Sequence, residues 1–222
     1  MGCCEGVRER QPGPVPNYPD SSGQGGKESE VKPHETHRAT ARHVLIFHLV
    51  TVSSSRFKMM HSGSEYKDDS GDLAAQLIVE AGHKAGTRTL LPDDRVMIRR
   101  AVKDFLGHRA HVLVLIGGTG VSPSDVTVGT VVPFFEKELT GFGELLRSIS
   151  YQTIGIAAML TRATAGTAKG KLIVCLPGSP EGVETALRSF ISEFPHIVSI
   201  AGGFDTRNAA GHANSENHLA KR

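Results

Sequence analysis

Leu113-Val114-Leu115-Ile116 runs straight into Gly117-Gly118-Thr119-Gly120, and Asp125 follows five residues after the last of these glycines. A short run of branched apolar residues suits a strand buried on both faces. Glycines at its end let the backbone turn sharply and come close to a ligand. Ser122-Pro123-Ser124 then offers a helix start, so the amides of this corner would point at an anion. Strand, glycine turn and helix N-terminus together make the phosphate-holding corner of an open α/β sheet. The competing reading of the same stretch is a tight turn between two core elements.

The flanking sequence alternates in type. His43 to Val52 is a second branched run, ending in Ser53 and a polar, basic loop over 56–67. Leu73, Leu77, Ile78 and Ala81 mark one helix face that closes at Gly82. A short strand over 85–91 leads to Pro92-Asp93-Asp94, which opens a helix carrying Ile98, Val102, Phe105 and Leu106 at i, i+4, i+7 and i+8. Beyond the glycine corner the pattern predicts a helix to about Leu139, a break at Thr140-Gly141-Phe142-Gly143, and a new helix over 144–150. Lys171 to Leu176 is a further strand that enters Pro177-Gly178-Ser179-Pro180. A last helix places Val183, Leu187, Phe190, Ile191 and Phe194 on one face. Strands alternating with helices predict a three-layer α/β fold, a mainly parallel sheet with helices on both faces. Ligands of such sheets sit beyond the carboxyl ends of the strands. Ser53, Asp68, Asp93, Gly117 to Asp125 and Gly178-Ser179 all follow a strand, so one fold gathers them at one edge.

Residues 1–40 are rich in Gly, Pro, Ser, Glu and Lys without an apolar period, and 204–222 is again polar. We expect a leader and a tail outside the core, leaving one domain over 41–203. A formal charge of +2 argues against a dedicated nucleic-acid binder. No apolar run reaches the length of a membrane span, and no signal-like segment opens the chain. The expectation is therefore a cytoplasmic protein with neither nucleic acid nor membrane as partner. The three cysteines have no zinc spacing. Met1-Gly2-Cys3-Cys4 is followed by Gly6 where the acylation pattern wants Ser or Thr, and His34-Glu35-Thr36-His37 is one residue short of a zinc-binding H-E-x-x-H.

Asp93 and Asp125 are the candidate carboxylates. Beside a phosphate cradle they suggest a nucleotide bound with magnesium, because the cation neutralises charge between phosphates and aspartates. Either could instead serve as a helix cap, favoured by the helix dipole. Asp68 likewise stands where it would cap a helix opening at Ser70-Gly71. The Gly178-Ser179 turn offers close backbone approach and a hydroxyl, or simply an N-cap. Glu144 and Arg147 place an acid and a base one turn apart, which is also the spacing of an ordinary surface ion pair.

In order and spacing these segments resemble the MoaB/MogA family of molybdenum-cofactor biosynthesis proteins, and most closely its archaeal MoaB-type members. The resemblance rests on T-V-S at 51–53, D-D-S-G at 68–71, P-D-D at 92–94, G-G-T-G-x-S-P-x-D-V-T at 117–127, G-F-G-E-L-L-R at 141–147 and L-P-G-S-P at 176–180. It covers roughly residues 43–200 and implies a Rossmann-like fold and a molybdopterin adenylyltransferase. In that reaction the terminal phosphate of molybdopterin attacks the α-phosphate of Mg-ATP, giving adenylylated molybdopterin and pyrophosphate. The resemblance assigns catalysis and Mg²⁺ binding to Asp93 and Asp125. It assigns nucleotide and pterin-phosphate contacts to Gly117, Gly118, Thr119, Gly120, Ser124, Gly178 and Ser179, and further contacts to Ser53, Asp68, Ser70, Gly71 and Glu144. It also implies a trimer or a dimer of trimers, and a MoeA-type metal-insertion protein as partner. This chain departs from many relatives in carrying Ser54-Ser55-Arg56 after T-V-S, and in its longer, more basic 56–67 loop. The alternatives within the same fold are a molybdopterin carrier without chemistry, a CinA-like nucleotide pyrophosphatase, and an assembly module like that of gephyrin.

Overall fold

A computed structural model describes residues 44–202. The expected leader and tail lie outside these residues, as do Cys3, Cys4 and the His34–His37 segment. The strands are Ile46–Val52 (β1), Lys84–Leu91 (β2), Val112–Ile116 (β3), Lys137–Glu138 (β4), Thr164–Ala168 (β5) and Lys171–Leu176 (β6). They form one sheet in the order β2-β1-β3-β6-β5-β4. The pairs β1–β2, β1–β3 and β3–β6 are parallel, and β5 and β4 complete the sheet antiparallel. The chain moves outward from β1 to β2 and then returns to place β3 on the other side of β1. That reversal opens a crevice between the ends of β1 and β3, where open α/β sheets hold their ligands.

Side-chain alternation on β3 divides the core into two layers. Val112, Val114 and Ile116 face one side with Phe47, Leu77, Ile78, Leu146, Val183, Leu187 and Phe194. Leu113 and Leu115 face the other with Ile98, Val102, Phe105 and Cys175. The first layer is covered by helices Asp69–Glu80 (α2), Thr140–Ile154 (α5), Pro180–Phe190 (α6) and Phe194–Ala201 (α7), the second by Arg95–Gly107 (α3) and Thr127–Val131 (α4). Each fully buried Val, Leu, Ile or Phe contributes about 1.5–3 kcal/mol, so both layers are needed to hold β3 and β6, which are buried on both faces. Burial pushes the Cys175 thiol up to about 12, which leaves it unreactive at neutral pH. None of the helices among the described residues is long and apolar enough to cross a membrane.

Four expectations are corrected. The basic stretch after Ser53 is not all loop, because Ser54–His61 forms a helix (α1) capped by the Ser53 hydroxyl, which accepts from the Arg56 amide at 3.4 Å. Ser122-Pro123-Ser124 does not start a helix. Ser122 and Ser124 bond to each other through their hydroxyls at 2.9 Å, and α4 begins only at Thr127. That helix does not reach Leu139 but gives way to a 3-10 turn at Val132–Phe134 and the short strand β4. The Thr140-Gly141-Phe142-Gly143 segment forms the first turn of α5 rather than a break.

Candidate functional site

The carboxyl ends of β1, β2, β3 and β6 deliver Ser53-Ser54, Asp93, Gly117-Gly118 and Gly178 to one edge of the sheet. Their convergence is tight. Gly117 has φ +104°, and a Cβ there would strike the carbonyl oxygen of Val52 at the end of β1. A Cβ on Gly178 would stand 3.3 Å from the Cα of Gly117. Gly118, at φ +63°, faces two side-chain oxygens, since a Cβ there would press on Thr127 Oγ1 and sit 3.2 Å from Asp93 Oδ1. Glycine is thus required at this corner both for its backbone angles and for the room it leaves.

Asp93 is not a helix cap. Asp94 caps α3, accepting from the Met97 amide at 2.8 Å, which frees its neighbour. The Asp93 carboxylate instead accepts from Ser54 through Oδ2, from the amide at 3.0 Å and the hydroxyl at 2.7 Å. Ser54 Oγ in turn accepts from the Asp93 amide at 2.9 Å. This reciprocal clamp leaves Oδ1 facing Gly118. Ser54 is a residue that sequence reasoning passed over, although the departure at Ser54-Ser55-Arg56 was its visible signal.

Asp125 does not cap α4 either, because the cap position is Val126 and makes no side-chain bond. Its Oδ2 closes its own turn, accepting from the Ser122 amide at 2.8 Å. Among the described residues, Oδ1 of Asp93 and Oδ1 of Asp125 accept no hydrogen bond, so each aspartate keeps one oxygen in reserve. Thr127 supplies a second unsatisfied group. It is fully buried, and its Oγ1 finds no partner among the described residues. An orphaned buried hydroxyl costs about 1–3 kcal/mol, a cost that a ligand oxygen or amide reaching the corner would relieve. The amides of Gly118, Thr119, Gly120 and Val121 likewise find no protein acceptor among the described residues. A run of free amides at a glycine turn is a concavity suited to phosphate.

Most of the other predicted residues have their polar groups already engaged. Asp68 caps α2, accepting from the Gly71 amide at 3.1 Å and from Thr51 Oγ1 at 2.7 Å, and it also meets Arg88 at 3.4 Å. A Cβ on Gly71 would collide with the Asp68 carboxylate, so glycine at 71 makes that cap possible. Ser70 is fully buried and donates to the carbonyl of Gly178 at 2.7 Å, tying α2 to the second glycine turn. Ser179 caps α6, accepting from the Gly182 amide at 3.1 Å, with Pro180 at the first helical position. Ser53 caps α1, and Ser124 is exposed within its own turn. Glu144 lines a cavity of about 430 Å³ beside Thr140, Arg147 and Arg162. Arg147 donates to the Thr161 carbonyl at 3.4 Å, so the surface ion pair with Glu144 does not form.

Two free carboxylate oxygens, a buried orphan hydroxyl and a run of free amides fit a phosphate ligand accompanied by a hard divalent cation. Among the described residues no group of three or more His, Cys, Asp or Glu side chains forms a metal site.

Known proteins match the chain over most of its described residues. Residues 48–196 match the family described as a probable molybdopterin binding domain. A relative from Methanocaldococcus jannaschii, named "Probable molybdopterin adenylyltransferase", is 38% identical over 151 residues, spanning 68% of this chain and 90% of the relative. A relative from Pyrococcus furiosus, named "Molybdopterin adenylyltransferase", is 35% identical over 171 residues, spanning 75% of this chain and 97% of the relative. The crystal structure described as the tungsten cofactor synthesizing protein MoaB from Pyrococcus furiosus superposes with a TM-score of 0.63 at 33% identity. It covers 72% of this chain and 98% of its own. With its fold, its glycine corner and these matches, the chain belongs to the MoaB/MogA family of molybdenum-cofactor biosynthesis proteins.

Proposed function

We propose that this chain adenylylates molybdopterin, using Mg-ATP as donor and releasing pyrophosphate. The observation that carries the reading is the pair of aspartates excused from capping, each with one free oxygen, flanking a glycine corner whose amides are free. The relatives named for the same activity support it. Bound Mg²⁺ would supply electrostatic neutralisation between two anions, with Asp93 Oδ1 and Asp125 Oδ1 as its protein ligands.

The work left to the protein is positioning. The nucleophile is a phosphate oxygen, already ionised at neutral pH, so no strong general base is needed. The amides of Gly118 to Val121 and the Thr127 hydroxyl donate to phosphate oxygens, and Ser54 keeps Asp93 turned toward them. As the new P–O bond forms at the α-phosphorus, the bond to the β-phosphate oxygen breaks and pyrophosphate departs with both electrons. Charge spread over the transferred group meets donors already in place, which is where such catalysis gains most. The test is pyrophosphate release from Mg-ATP with and without molybdopterin. Release that requires molybdopterin supports the reading. No release together with tight molybdopterin binding makes the chain a carrier.

The assembly is part of the same proposal. Leu145, Ile149 and Ile154 on α5, and Ile156, Met159 and Leu160 on the 3-10 turn that follows, are all exposed. Large apolar side chains so grouped on one helix and its extension fit a contact with a second copy of the chain. We propose a homo-oligomer in the cytoplasm, built through this face, with a trimer as its unit. Ile156→Glu, which leaves one of the most exposed of these residues charged, is expected to shift the protein to monomer. Light scattering on a sizing column reads this directly, and an unchanged mass would move the interface elsewhere.

A further inference from the structure

Arg162 stands between the glycine corner and β5, and it engages the corner three times. Its amide donates to the Thr119 carbonyl, its Nε to the Gly120 carbonyl and its Nη2 to the Asp125 carbonyl, each at 2.8 Å. An exposed arginine usually reaches for a carboxylate or for solvent. This one spends its planar fork on two main-chain oxygens that are five residues apart in sequence.

A peptide group is planar and trans, so a carbonyl fixed in one direction fixes the following N–H in the opposite one. The three bonds therefore set the directions of the Gly120, Val121 and Val126 amides. None of these amides finds a protein acceptor among the described residues. The bond to the Asp125 carbonyl also holds the peptide that follows the catalytic carboxylate, whose Oδ2 is turned back onto Ser122. Loops rich in glycine have little stiffness of their own. Here the stiffness comes from outside the loop, from a residue 37 positions beyond Asp125.

We propose that Arg162 is a positioning residue for adenylyl transfer, setting the phosphate-facing amides of the glycine corner and the peptide of Asp125 without touching the reacting atoms. The proposal rests on the adenylyltransferase reading. Arg162→Gln removes the fork and its charge. The expected result is a kcat about 100-fold lower and a KM for ATP about tenfold higher, because misdirected amides serve both the bound phosphates and the charge that develops on them. The thermal midpoint is expected to stay within about 3 °C of wild type, the loss of bonds made at an exposed site. Arg162→Lys keeps the charge but reaches only one carbonyl, so an intermediate kcat, about tenfold down, is expected. Guanidinium added at millimolar concentration to Arg162→Ala should restore a measurable part of kcat.

A purely structural arginine would lower the thermal midpoint and leave kcat and KM per folded molecule untouched. That result overturns the proposal, as does Arg162→Lys turning over like wild type. If the wild type itself releases no pyrophosphate, the adenylyltransferase reading fails separately. The role of Arg162 is then read from calorimetric titration with Mg-ATP. A tenfold weaker affinity in Arg162→Gln keeps it as the residue that sets the corner, and an unchanged affinity removes it.

Discussion

Asp93→Asn is expected to lower molybdopterin-dependent pyrophosphate release by about 10³-fold or more while the protein unfolds at the same temperature as wild type. The substitution replaces a carboxylate with an amide of the same shape. An amide oxygen still accepts from the Ser54 amide and hydroxyl, so the clamp that orients the side chain survives. The cap of α3 is untouched because Asp94 makes it. What disappears is one unit of negative charge at the oxygen proposed to hold Mg²⁺. Losing an electrostatic contact made at a transferring phosphoryl group costs about 4 kcal/mol of barrier, and each 1.36 kcal/mol is a factor of ten. Asp125→Asn should behave alike, since its structural bond also runs through one oxygen only. Steady-state turnover beside a thermal melt decides the matter. Turnover within tenfold of wild type in both variants would return the aspartates to a local structural role.

The second large effect falls on stability. Gly117→Ala forces a Cβ against the Val52 carbonyl oxygen, and that atom belongs to the backbone of a central strand. Unlike a flexible side chain, it cannot swing aside without distorting β1 and its parallel pairing with β3. The φ of +104° adds strain for any residue with a side chain. Together these should cost about 3 kcal/mol or more, which for a domain of this size lowers the midpoint by roughly 6–12 °C. Gly141→Ala is the matched control, because a Cβ at the first turn of α5 meets nothing within 4 Å. If Gly117→Ala melts with Gly141→Ala, the ends of β1 and β3 have room to move apart and the close contact is not what holds them.

The long apolar runs declared themselves in the sequence. β1, β3 and β6 are short, branched and buried, and α3 carries its Ile98, Val102 and Phe105 face at helical spacing, so the parallel core and its site-bearing edge were legible. β5 was not. Thr164-Ala165-Gly166-Thr167-Ala168 has neither branched apolar residues nor alternation, yet it is buried throughout. Its smallness is imposed by a neighbour, because the Phe135 ring occupies the space a side chain at Gly166 would need. It is joined to β6 by Lys169-Gly170, both at positive φ, a turn that suits a two-residue hairpin. Periodicity cannot report packing that comes from a distant aromatic ring. At the site, the choice of Asp93 over capping hung on which of two adjacent aspartates takes the cap. Composition is blind to that choice, and the Ser54 clamp decides it. Arg162 was hidden for the same reason, since its partners are carbonyl oxygens, which every residue has.

Ser70 donating to the carbonyl of Gly178 joins two points 108 residues apart, and the same edge takes one piece from each of four strand ends. Such a pocket has no half-built form. A chain folded only as far as β3 has the glycine corner without its second turn, and a fragment beginning after β1 lacks the wall that Gly117 leans against. The proposed phosphate site is therefore a property of the finished topology, reached only after the slowest long-range pairings close. Ligand free energy is correspondingly felt by the domain as a whole: at a hundred times its dissociation constant a nucleotide would add about 2.7 kcal/mol to global unfolding rather than stiffening one loop. In a cell, occupancy by substrate would then govern how long this chain survives, and not only how fast it turns over.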